Sequence, residues 1–136
     1  MDTAPDVVAV INTSPDVVDM LRLTLEHAGI AVVSAMTWQV REGGVDLDRF
    51  MAQHHPRVVV YDVAPPYSNN WLLFQHIRAM PVMKNVQFVL TSTNAKQVEA
   101  LSRGSQERVY EIVGKPFDLG EIVTAVREAM KARATR

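Results

Sequence analysis

Residues 57–66 read RVVVYDVAPP. Val58, Val59 and Val60, followed by Tyr61, form a β-branched run too short for a helix, so the stretch predicts a strand. The run shows no polar alternation, which suits a central parallel strand covered on both faces. It ends on a carboxylate, Asp62. The segment from Val63 to Asn70 is then crowded with turn formers, Pro65, Pro66, Ser68 and Asn69 among them. A buried strand thus delivers an acidic side chain to its carboxyl end.

The same pattern recurs on both sides of this stretch. Strands are expected at Val7–Ile11 and Ile30–Ser34 upstream, and at Val86–Leu90 and Arg108–Val113 downstream. Amphipathic helices are expected between them. The first has Ser14 as N-cap and Pro15 at its first position, with Val18, Leu21 and Leu25 at helical spacing and Gly29 as its stop. After an irregular stretch through Trp38 to Gly44, a short helix runs from about Asp46 to His54, with Leu47, Phe50 and Met51 on one side. The third covers Trp71 to Met80, capped by Asn69 or Asn70 and burying Trp71, Leu73 and Phe74. The fourth runs from about Ala95 to Ser102. A last helix opens on Asp118 and Glu121 and carries Ile122, Ala125, Val126 and Ala129. Five strands alternating with five helices predict an α/β protein, a doubly wound (βα)5 parallel sheet with right-handed crossovers. No linker or repeat interrupts residues 1–136, so the chain reads as a single domain with a core of about 7–131.

Composition narrows the function classes. Hydrophobic residues at 48% and charged residues at 21% suit a packed globular domain rather than a disordered one. The net charge is −1 and the Lys and Arg residues are spread out, which argues against nucleic-acid binding. The absence of cysteine excludes disulfide and thiol chemistry. There is no signal-peptide pattern at Met1–Asp6 and no apolar run long enough to span a membrane, so a cytoplasmic protein is expected. His54 and His55 lack carboxylate neighbours at ligand spacing and read as solvated rather than metal-binding. His27 and His76 read as surface or partly buried.

In a doubly wound sheet, ligands bind beyond the carboxyl ends of the strands. Those ends carry Asn12 and Thr13, then Asp62, then Thr91 and Ser92, then Lys115. A carboxylate, a hydroxyl and an ammonium at one mouth suit phosphoryl chemistry. The carboxylate can act as nucleophile, the hydroxyl can bond a phosphoryl oxygen, and the ammonium can neutralise its charge. The bland alternative is a structural Asp62–Lys115 ion pair. Tyr67 and Trp38 lie near these ends, where each either covers the site or meets a partner.

From Val7 to about Lys131 the chain resembles the receiver domains of two-component response regulators, the CheY-like fold. Asp62 matches the phosphoacceptor and Pro66 the proline of its D-x-x-x-P loop. Thr91-Ser92 matches the pair after strand four, and Lys115-Pro116-Phe117 the K-P-F turn. The resemblance implies strand order 2-1-3-4-5. It assigns phosphoryl contacts to Thr91, Ser92 and Lys115, and makes the chain a non-enzymatic signalling module. A sensor histidine kinase or phosphotransfer protein would be its donor. Partners or a second copy would meet the face of helix four, strand five and helix five, including Val98, Leu101, Tyr110 and Ile112.

The chain also departs from the pattern. The acidic pair that holds Mg²⁺ in the family is replaced by Asn12 and Thr13, which leaves Asp62 and the Ala64 backbone carbonyl as weak ligands. The expectation is no cofactor, or weakly held Mg²⁺. The aromatic switch position is Ile112, and Asn70 stands where the family has a glycine. Asp16 is the nearest other carboxylate. A degenerate receiver acting as a constitutive protein–protein module is the second reading. A flavodoxin-like small-molecule domain is a third, weakened by the lack of glycine in residues 12–15.

Overall fold

The computed structural model describes residues 7–103, 111–114 and 119–134. Its strands are β1 (Val7–Asn12), β2 (Ala31–Met36), β3 (Val58–Asp62), β4 (Gln87–Ser92) and β5 (Glu111–Gly114). Its α-helices are α1 (Pro15–His27), α2 (Thr37–Arg41), α3 (Leu47–His54), α4 (Tyr67–Arg78), α5 (Ala95–Arg103) and α6 (Leu119–Ala134), with a 3₁₀ turn at Pro81–Met83. All strand pairs are parallel and the sheet order is β2-β1-β3-β4-β5, as expected.

The unbroken apolar strands serve two layers. Because side chains alternate along a strand, Val8 and Val10 of β1 enter one cluster and Ala9 and Ile11 the other. In β3, Val58 and Val60 join the first, Val59 and Tyr61 the second. Leu21 and Leu25 of α1 and Ile122 and Val126 of α6 cover one face. Met51 of α3, Phe74 and Ile77 of α4 and Val98 of α5 cover the other. Each large apolar side chain so buried contributes roughly 1.5–3 kcal/mol.

Local signals act where they were expected in α1. The Ser14 hydroxyl accepts from the Val17 amide at 3.3 Å, and Gly29 follows the helix at φ +88°. Asp46 caps α3 in the same way, accepting from the Arg49 amide at 3.3 Å.

Elsewhere the structure corrects the reading. β2 runs on to Met36, and the stretch expected to be irregular opens as the short helix α2. There are therefore six α-helices among the described residues. α4 begins at Tyr67, with Pro66 at its N-cap and no side-chain cap bond. Asn69 and Asn70 thus lie inside the helix rather than capping it. β5 is described from Glu111, while the first residues expected in it lie outside the described residues. Val98, expected on an outer docking face, is fully buried, and Leu101 packs partly against the same core.

β2 is an edge strand. The Arg22 guanidinium of α1 reaches across it, donating to the Val32 carbonyl at 3.2 Å and to the Ser34 hydroxyl at 3.0 Å.

Candidate functional site

The parallel register brings the strand ends together. Asp62 pairs with Thr91 across β3 and β4, and Ser92 with Gly114 across β4 and β5. Asp62 is 3% exposed and Thr91 is fully buried. The Thr91 hydroxyl donates to the Asp62 carboxylate at 2.6 Å, a short, charge-assisted bond. The Val63 amide donates to the Thr91 carbonyl at 2.9 Å and ties the start of the next loop to β4.

The other strand-end residues do different work. Asn12 is buried, and its side-chain oxygen accepts from the Ser14 amide at 3.0 Å, an Asx turn that shapes the loop after β1. Thr13 is exposed. The Ser92 hydroxyl accepts from the Asn94 amide at 3.1 Å. Ile112 lies in β5 opposite Leu90. Lys115, Pro116 and Phe117 lie outside the described residues, as does Tyr110. Asp16 is exposed on the first turn of α1.

Two residues converge here: Asn70, expected as a helix cap and at the family's glycine position, and Arg41, which the sequence did not single out. The Asn70 side-chain amide donates to the Ala64 carbonyl at 2.6 Å. Its oxygen in turn accepts from the guanidinium of Arg41, at the end of α2. The Ala64 carbonyl, expected to face a metal, is therefore engaged by a protein donor. Tyr67, the first residue of α4, reaches the loop after β4 through a hydroxyl contact with Thr93. Trp38 projects from α2 and is about half exposed. No cluster of three or more His, Asp or Glu side chains that could hold a metal occurs among the described residues.

Behind the mouth, Tyr61 is 1% exposed and its hydroxyl has no hydrogen-bond partner. The buried Thr37 hydroxyl, one turn before Arg41, lacks one as well. Burial pushes the Tyr61 phenol well above its ordinary value; Arg41 pulls it back by less, and Asp62 adds to the rise. An unpartnered buried hydroxyl costs about 1–3 kcal/mol, so Tyr61→Phe is expected to leave stability unchanged or raise it at pH 7. Above pH ~10 the phenol of the unfolded chain loses its proton while the folded one keeps it. The unfolded state then binds fewer protons and stability falls as pH rises, by about 1.4 kcal/mol per unit from this group. Denaturant melts from pH 8 to 11 on both proteins check this: the wild type should lose more stability than Tyr61→Phe, and parallel curves would refute it.

No protein-family model matches the chain. It is 26% identical over 124 residues to the transcriptional regulatory protein KdpE of Mycobacterium tuberculosis, an alignment that covers 91% of the chain and 50% of the relative. The chain thus spans about half the length of the curated relatives it matches. Among solved structures, a sensor protein from Polaromonas sp. JS666 superposes with TM-score 0.77 at 18% identity, covering 96% of this chain and 99% of that one. A response regulator receiver protein from Pseudomonas putida gives 0.69 at 21% identity, covering 93% and 99%. Vibrio cholerae chemotaxis protein CheY4 gives 0.70 at 16%, again covering 93% and 99%. The fold is that of the response-regulator receiver domains.

Proposed function

We propose that the chain is a receiver module of two-component signalling with Asp62 at the phosphoacceptor position. The observation that carries this reading is the buried Thr91–Asp62 hydrogen bond of 2.6 Å at the carboxyl ends of two adjacent central strands. A carboxylate held there by one hydroxyl has its nucleophilic atom oriented, and the hydroxyl can turn to a phosphoryl oxygen once the carboxylate is esterified. A sensor histidine kinase or phosphotransfer protein would supply the phosphoryl group. The chain would act in the cytoplasm as a signalling module rather than an enzyme. Lys115, placed by the resemblance after β5, would neutralise the transferred charge. Self-association through α5, β5 and α6 belongs to the same reading, although the apolar residues of α5 named for it point into the core.

The residues after β1 favour a second reading. Asn12 and Thr13 bring no anionic oxygen to the mouth, and phosphoryl transfer leans on a metal ion to neutralise developing charge. A receiver that is never phosphorylated and binds partners constitutively would look the same.

Incubation with acetyl phosphate, followed by intact-mass spectrometry, separates the two. Under the first reading the chain gains one phosphoryl group slowly, to the same extent with Mg²⁺ or EDTA, and Asp62→Asn gains none. Identical spectra for the wild type and Asp62→Asn would sink the phosphoacceptor assignment and leave the constitutive module.

A further inference from the structure

An amide side chain has one oxygen and one NH₂, and Asn70 uses both. Its NH₂ faces the Ala64 carbonyl, an acceptor, and its oxygen faces the Arg41 guanidinium, a donor. Turning the amide over would set donor against donor and acceptor against acceptor, so the two contacts fix one orientation. Asn70 is buried, whereas the rest of Arg41 lies on the exposed rim. A permanent positive charge is therefore tied, through one amide, to the loop that follows Asp62.

We propose that Arg41 and Asn70 form an internal plug over the position a dication would take beside Asp62, so that the mouth carries its own cation and excludes Mg²⁺. The inference rests on the receiver reading only for where a dication would sit. Mg²⁺ demands a nearly ideal octahedron and gives up water reluctantly. The oxygens present do not fit it: the Asn12 side-chain oxygen serves the Ser14 amide, one Asp62 oxygen holds the Thr91 hydroxyl, and the Ala64 carbonyl holds Asn70. Missing carboxylates after β1 are then only part of the deficit. Asp at position 12 could keep the Asx turn, yet an incoming ion would still meet an engaged carbonyl and a guanidinium.

Calorimetric titration with MgCl₂ alone tests this on three proteins: the wild type, Asn12→Asp with Thr13→Asp, and that pair combined with Arg41→Ala and Asn70→Gly. The two-fold variant is expected to bind no more tightly than the wild type, and the four-fold variant at least tenfold more tightly than the two-fold. Equal affinities of the two variants, whether both bind or neither does, would overturn the plug. Circular-dichroism melts establish that each variant is folded, and Arg41→Gln with Asn70→Ala offers a milder removal with the same expected direction. Metal affinity needs no phosphorylation of Asp62. A chain that never accepts a phosphoryl group would still show this difference, and a failed plug would leave the acetyl phosphate result untouched.

Discussion

Replacing Phe74 by alanine is expected to destabilise the fold by about 3–5 kcal/mol, the usual range for emptying a buried aromatic site. Phe74 is fully buried, and its ring lies 5.4 Å from that of Tyr61, 5.1 Å from Trp71 and 5.2 Å, edge-on, from Phe88. It therefore joins α4 to both β3 and β4, the two strands that present Asp62 and Thr91. Such packing contributes beyond the area it buries. Neighbouring rings from α4, β3 and β4 limit how far the cavity can collapse. Domains of this size are held by about 5–15 kcal/mol, so the variant should melt far below the wild type in urea. A loss under about 1 kcal/mol would mean that the aromatic cluster repacks and does not brace the site.

Thr91→Val is the second large effect, with an expected loss of about 1.5–3 kcal/mol, the range for a hydrogen bond to a charged group. The substitution keeps the volume and β-branching of the side chain and removes only the hydroxyl that donates to Asp62 at 2.6 Å. Both groups are buried, so water is a poor replacement for the lost donor. Thr91→Ser, which keeps the hydroxyl, should lose much less. Urea melts of the two variants at pH 7 make the comparison. An unchanged Thr91→Val, with the loss confined to Thr91→Ser, would show that the methyl packing of Thr91 matters and its hydrogen bond does not.

The strands were legible because burial on both faces leaves a plain mark, an unbroken β-branched run such as Val58 to Val60. α1 was legible through the Ser14 cap and the stop at Gly29. Where such marks are missing, the reading failed. α2 has five residues, buries only Thr37 and starts from Met36, whose backbone amide is satisfied by the side chain of Gln39. Neither a cap residue nor an apolar stripe announces it. The start of α4 misled in another way: Asn70 looked like a cap, but its amide is used on Ala64. In the candidate site, Asp62 and Thr91 followed from strand ends and resemblance together. Arg41 could not, because its bond to Asn70 joins residues 29 positions apart and depends on a helix the sequence does not signal. The substitution of Asn70 for the family's glycine was the one available hint.

The guanidinium of Arg22 has a meaning for how the sheet behaves among other chains. An outermost strand is a template, since its outward carbonyls and amides can recruit a foreign strand and start aggregation. On β2, the Val32 carbonyl is already taken by Arg22, and the same group grips Ser34 beyond it. An arriving strand would have to strip away a charged, hydrogen-bonded side chain before it could zip past Val32. The helix that covers one face of the sheet thus also guards its border against unwanted growth.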